Sequence, residues 1–205
     1  MIPANIKITN NSYFTDQKVL EKAKINYNDN FFFLSTKKIE KEFADWSICK
    51  VKVKKKSYQV LEIYFDNVDL LAYYSEDLQL YLLDNEANVY NYNNEYLETL
   101  KLLPYLVDYN QQDRKEIIQH LQVLDRSLIY QISEISHHFT SYDENMLKLT
   151  MEDGNQLFLD FASIPLLRSY NQIVENLHQK NRCIYFVEAT QSAFADVCPE
   201  VEDEH

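Results

Sequence analysis

A chain of 205 residues with an ordinary hydrophobic content of 46% can build one large or two small domains around a real core, which excludes global disorder. Its single glycine excludes a Walker loop and a dinucleotide fingerprint, neither of which can be written without several glycines. A net charge of −12 argues against a nucleic-acid binder, which needs a basic face to release counterions.

Asn5-Ile6-Lys7-Ile8-Thr9 alternates as a short strand, and Asn10-Asn11 turns the chain. Thr15-Asp16 can cap a helix to about Ala23, with Val19 and Leu20 facing inward. After a polar loop from Asn26 to Asn30, Phe31-Phe32-Phe33-Leu34 reads as a compact apolar plug. Ser35 or Thr36 can cap a second helix through Ile39, Phe43 and Trp46. Cys49 to Lys55 alternates valine with lysine, Lys56-Ser57 turns, and Tyr58 to Phe65 returns. The resulting β-α-α-β-β unit has one sheet face to bury and two helices to bury it.

A domain joint is expected between Asp66 and Tyr74. Leu80 to Leu83 and Val89 to Tyr92 flank Asp84-Asn85-Glu86-Ala87 as a hairpin, and a Tyr/Asn-rich stretch ends at Pro104. Asp113 starts a helix through Ile117, Ile118, Leu121 and Leu124, and Ile129 to Ile135 looks extended. Met146 to Met151 alternates, Glu152-Asp153-Gly154-Asn155 holds the sole glycine where a hairpin turn wants φ > 0, and Gln156 to Phe161 returns. Pro165 can open a helix whose face is Leu166, Leu167, Tyr170, Ile173, Val174 and Leu177. Arg182 to Glu188 is a last strand, followed by a weakly structured tail that ends in Glu200, Glu202, Asp203 and Glu204.

The whole order, not any one motif, resembles the extracytoplasmic part of the FtsQ/DivIB bacterial cell-division proteins, and its first third resembles a POTRA domain. Ile6 to Asn11 sits where that family opens with a strand and turn, and Trp46 to Val53 at its "x-I-x-x-V-x-V" strand. Leu80-Tyr81-Leu82-Leu83-Asp84 matches "y-x-L-l-D", Leu103-Pro104 the "L-P" step, Ile132-Ser133-Glu134-Ile135 "i-S-E-I", and Leu147 to Gly154 "l-x-L-x-m-x-D-G". Asn10-Asn11 and Glu86-Ala87 depart from it, standing where glycine is usual; asparagine tolerates the left-handed region, alanine less well. The expected fold is α+β: a POTRA-like β-α-α-β-β domain over 1–70, a larger mixed α/β domain with an extended, mostly antiparallel sheet over 71–190, and a flexible acidic tail over 191–205.

The resemblance implies a non-catalytic scaffold of the division machinery. It implies partners of the DivIC/FtsB and FtsL types, control of septal wall synthesis, and a single N-terminal membrane anchor absent from this chain. No run here approaches the ~20 apolar residues of a span. The alternatives are a POTRA module of another transport or assembly system and an unrecognised enzyme.

Cys49, Cys183 and Cys198 are far apart and odd in number, so they suggest neither a disulfide framework nor a zinc site. Adjacent His137 and His138 point to opposite faces of a strand and cannot chelate one ion by themselves. Glu152, Asp153 and Asp160 read as turn residues before acid/base pairs, and Cys183 with His178 forms no nucleophile motif. No cofactor is expected. Lys50, Lys52, Lys54, Lys55 and Lys56 read first as a solvated strand face and second as a contact for anionic headgroups. The working surface is expected to be the edge of the last strand: Arg182, Cys183, Ile184, Tyr185, Phe186, Val187 and Glu188. Ile184 and Phe186 should face the core and Cys183, Tyr185 and Val187 the other way, with a partner segment added by β-augmentation. The rival expectation is that Ala189 to Pro199 folds back over that edge.

Overall fold

The computed structural model describes residues 5–26, 28–56, 59–138, 146–177 and 182–198. The chain divides into two compact units, residues 1–69 with 93–99, and residues 70–92 with 100–205. The joint thus falls inside the 66–74 stretch, while 93–99 groups with the first unit.

In the first unit the order is β1 (Asn5–Thr9), α1 (Asp16–Ala23), α2 (Thr36–Glu42), β2 (Cys49–Lys55) and β3 (Val60–Asn67). β3 is central, parallel to β1 and antiparallel to β2. Thr15 caps α1 by accepting from the Lys18 N–H, and Val19, Ala23 and Ile39 turn inward from the helices. The core is aromatic: Trp46 stacks on Phe14 at 3.8 Å and meets Phe43 edge-on at 5.1 Å. The expected plug at 31–34 is only partly inside. Phe31 is buried, but Phe32 and Phe33 are 64% and 86% exposed.

The second unit is built on one nine-stranded sheet. It takes up β4 (Leu70–Glu76), β5 (Gln79–Asp84) and β6 (Val89–Asn91) as a meander. Short α3 (Leu97–Leu100) intervenes in the chain, its first three residues grouping with the first unit; β7 (Tyr105–Leu106) follows, then α4 (Gln111–Leu121), α5 (Arg126–Ile129), β8 (Ile132–His137), β9 (Leu147–Met151) and β10 (Gln156–Leu159). A 3-10 helix (Phe161–Ser169) runs into α6 (Tyr170–Asn176), and β11 (Arg182–Val187) and β12 (Ser192–Val197) close the described chain. The strand order is β12-β11-β10-β9-β8-β7-β4-β5-β6, mostly antiparallel as expected, with parallel pairs at β10–β11, β7–β8 and β4–β7. Ile117, Ile118 and Leu121 of α4, Leu128 and Ile129 of α5, and Ile164, Leu167 and Tyr170 pack in one core with Leu149, Leu157 and Ile184 of the strands.

Three local expectations change. The stretch expected to hold the joint is not a linker: it holds the end of β3 and the first five residues of β4, with the units dividing after Asp69. The α4 helix starts at Gln111, because Asn110 accepts from the Gln112 and Asp113 N–H groups at 2.8 and 3.0 Å and so caps it two residues early. Pro165 lies inside the 3-10 helix instead of opening an α-helix; Asp160 starts the segment by accepting from the Ser163 N–H at 2.7 Å. Gly154 takes φ 90°, as its turn requires. Among the described residues, no helix is long and apolar enough to cross a membrane.

Candidate functional site

The strand singled out by the sequence is positioned by the glycine turn. Asn155, buried behind Gly154, accepts from the Arg182 N–H at 2.9 Å and so fixes where β11 starts. Its amide donates to Asp153 and to the Tyr170 hydroxyl, both at 3.0 Å, and that hydroxyl donates to Asp153 at 2.7 Å. Burial, aided by the Asp153 carboxylate, raises the Tyr170 pKa, so the hydroxyl stays protonated and keeps donating. One polar hub thereby ties the β9–β10 turn to α6 and β11. Asp153 serves this hub as a turn residue.

β11 is a strand with the expected faces: Ile184 and Phe186 are buried in the core, and Tyr185 and Val187 are half-exposed. It is not an edge. Ser192 to Val197 folds back as β12 and pairs with β11 antiparallel, Arg182 opposite Val197 through Val187 opposite Ser192. Glu188 lies in the tight 3-10 turn between them, Glu188–Thr190, which closes with Gln191 at φ 49°. The tail expected to be loose from 191 is thus a strand through Val197. The residues from 199 on, including the acidic end, lie outside the described residues, as do Ser57 and His178.

The cysteine reading is also corrected. Cys183 and Cys198 form a disulfide, with Cα atoms 4.9 Å apart. They are 15 residues apart in sequence, but the hairpin between them returns the chain to its start, and this placed the Cys183 side chain in a buried bond instead of on a free face. Cys49 is buried and free; burial pushes its thiol up to about 12, so it stays protonated.

Among the described residues the free edge is therefore β12. Ala193 and Ala195 pack toward the core, while Phe194, 57% exposed, stands on the other face. There it stacks on Tyr185 at 4.9 Å, which stacks on Phe158 at 4.9 Å, with His138 edge-on to Phe158 at 4.5 Å. This aromatic ladder crosses the sheet and ends at the rim. The edge has six residues, one charge (Asp196) and no proline, so it lacks the usual devices that discourage pairing. The opposite edge, β6, offers only three residues. Two signals could have revealed β12: the hairpin-length cysteine spacing and the alternation of Ala193 and Ala195 with Phe194.

The remaining candidates are dispersed. His137 packs on Tyr109 at 4.1 Å, away from His138. Lys50, Lys52 and Lys54 are exposed along β2 on the face opposite buried Val53, and exposed Lys55 lies on the Val53 side, 5.0 Å from the Phe31 ring. Lys56 pairs with Glu62 at 2.7 Å. Asp160 caps a helix.

Comparison with known proteins matches residues 3–64 to the POTRA domain of FtsQ type. The cell division protein DivIB of Bacillus cytotoxicus is 26% identical over 200 residues, covering 93% of this chain and 76% of that protein. DivIB of Bacillus anthracis is 25% identical over 154 residues, covering 74% of this chain and 57% of its own length. The solved major extracytoplasmic domain of the trans isomer of DivIB from Geobacillus stearothermophilus overlaps 55% of this chain and 90% of its own, with TM-score 0.39 and 17% identity. The chain thus matches the FtsQ-type POTRA domain at its start and is similar to the cell division protein DivIB along more than nine-tenths of its length.

Proposed function

We propose that the chain is the extracytoplasmic part of a non-catalytic divisome scaffold, tethered at the division septum by an N-terminal membrane anchor. It gathers DivIC/FtsB-type and FtsL-type partners and so helps control septal wall synthesis. The observation that carries this reading is the uncovered edge of β12. Among the described residues β12 pairs with β11 alone, so its outer side can accept an extended segment by β-augmentation, and the ladder of Phe194 on Tyr185 offers a flat aromatic shelf for its side chains. The binding surface is thus the β11–β12 hairpin: Arg182 to Val187 form its inner strand, Glu188 opens its turn and β12 is its rim. The Cys183–Cys198 bond supports the placement, since structural disulfides persist outside the reducing cytoplasm.

Isothermal titration with a peptide from the extracellular end of a DivIC-type partner tests the site. Phe194→Ala should weaken binding by about 2 kcal/mol, roughly thirtyfold, as for an aromatic hot spot. Tyr185→Ala, which removes the support beneath Phe194, should weaken it by a similar amount. Both variants should retain the wild-type fold by circular dichroism. Unchanged affinity in two folded variants would remove the hairpin from the binding surface.

A further inference from the structure

Phe32 and Phe33 sit side by side at a loop tip, 64% and 86% exposed. An exposed aromatic pair in a folded unit marks a surface that meets something apolar. The loop is held to the end of β2 by Lys55, whose Nζ donates to the Phe32 carbonyl at 3.1 Å and lies 5.0 Å from the Phe31 ring. Phe33 and Lys38 share a hollow of about 300 Å³ with Ile25, Leu34 and Ile39. Lys37 and Lys38 are exposed at the start of α2, and Lys52 and Lys54 along β2. Lys24 and Lys56, by contrast, are paired with Glu42 and Glu62.

The register fixes which end of the unit this is. Asn5 pairs with Val60 and donates its N–H to the Gln59 carbonyl at 2.9 Å, while Lys55 pairs with Leu61. The chain therefore enters the first unit at the end that carries Lys55 and the phenylalanines. Charge divides in the same sense. The first unit, residues 1–69 with 93–99, carries twelve lysines against eleven carboxylates, whereas the second carries eight cations against twenty-one carboxylates. An anionic surface therefore repels the second unit, and the exposed lysines of the first are what it can attract.

We propose that this end of the first unit docks on an anionic lipid surface. Phe32 and Phe33 seat among the headgroups, and Lys37, Lys38, Lys52, Lys54 and Lys55 face the lipid phosphates. Aromatic side chains flanked by lysines are the pattern of interfacial binding, in which apolar contact and attraction to anionic lipid add. The inference rests on the tethered reading above for its setting only; the lipid contact is tested without it.

The test is co-sedimentation of the 205-residue chain with vesicles of phosphatidylcholine, alone or with about one-third phosphatidylglycerol. The chain should bind the anionic vesicles and not the neutral ones. Binding should fall as salt rises from about 0.1 M to about 1 M and the Debye length shrinks from about 10 Å to about 3 Å. A Phe32→Ser, Phe33→Ser double variant should bind about tenfold more weakly. Lys52→Glu with Lys54→Glu should do so by at least about fivefold, and neither pair should shift the melting midpoint. No partition into anionic vesicles at about 0.1 M salt, or equal partition of wild type and the phenylalanine variant, overturns the proposal. So does a wild-type dimer in sedimentation equilibrium that the phenylalanine variant loses, because the patch would then serve a second copy. Loss of vesicle binding with the peptide affinity of β12 intact separates the two sites as expected. A chain that binds vesicles but no division-protein peptide would sink the division reading and leave this one standing.

Discussion

Asp84 shows how one side chain can replace a glycine. Ala87 sits at φ 60°, a conformation that costs a residue with a Cβ about 1–2 kcal/mol. Asp84 holds the turn in that shape: its carboxylate accepts from the N–H groups of Glu86 and Asn88 at 2.9 and 2.8 Å, the Asn88 amide at 2.9 Å and the Tyr90 hydroxyl at 3.0 Å. Burial opposes the charge, but the donors from Asn88, Glu86 and Tyr90 outweigh it, so the carboxyl lies below its ordinary value. A depressed carboxyl contributes stability that is present above the unfolded value and lost as pH falls through the folded one. Asp84→Ala should cost about 2 kcal/mol in urea denaturation at neutral pH, as for hydrogen bonds to a charged group, and should reduce the loss of stability on acidification. Ala87→Gly should raise the midpoint, by about 1 kcal/mol, through relief of the left-handed backbone. A drop in the Ala87→Gly midpoint would contradict this account of the turn. The turn after β1, also free of glycine, is met more simply: Asn10 takes φ 57° and its amide donates to the Phe65 carbonyl at 2.7 Å.

Among the elements, the β11–β12 hairpin carries the proposed binding edge and is the one most dependent on a covalent bond. The Cys183–Cys198 bridge closes 15 residues, and a loop of that length is stabilised by about 3 kcal/mol in the chain-entropy account. Cys198→Ser should therefore let β12 fray. Hydrogen exchange should show lost protection at Ser192 to Val197, with the amides of Leu149 and Leu157 unchanged. Equal protection of β12 in both proteins would show that the ladder and Ala193 and Ala195 hold it unaided. The β-α-α-β-β order, the Gly154 hairpin and the inward Ile184 and Phe186 were legible in the sequence because each depends on local periodicity or a single turn residue. The covering of β11 was not. β12 offers two inward alanines, poor strand formers, and its pairing depends on a partner strand that only the fold brings near. The apolar run at 31–34 failed for a related reason: its composition cannot say which rings the core takes in, and Phe31 is buried while Phe32, edge-on to Phe31 at 5.7 Å, and Phe33 stay exposed.

At the scale of the whole molecule, the first unit is not one continuous stretch. The chain leaves it after Asp69, and residues 93–99 belong to it again. Tyr96 is fully buried there, 6.1 Å from the Phe14 ring, and its hydroxyl accepts from the Ser47 N–H at 2.9 Å. Glu95 accepts from the Trp46 indole and pairs with Lys22 at 3.0 Å, while Lys18 donates to the Glu95 carbonyl. A fragment ending near Val68 has the strands and helices but lacks this closing segment, so its aromatic core is left open on one side. Tyr96→Ala in the full chain imitates that loss and should cost about 3 kcal/mol, the low end for deleting a large buried ring. Tyr96→Phe keeps the ring and should cost about 1 kcal/mol, the worth of one hydrogen bond. Trp46 is the sole tryptophan and lies in this core, so its fluorescence reports the first unit alone during urea denaturation. The 1–68 fragment should unfold at a lower urea midpoint than the full chain, and Tyr96→Ala should move the full chain toward it. If the fragment and the full chain share one Trp46 midpoint, residues 93–99 add nothing to the first unit, and its boundary is the simple one at the end of β3.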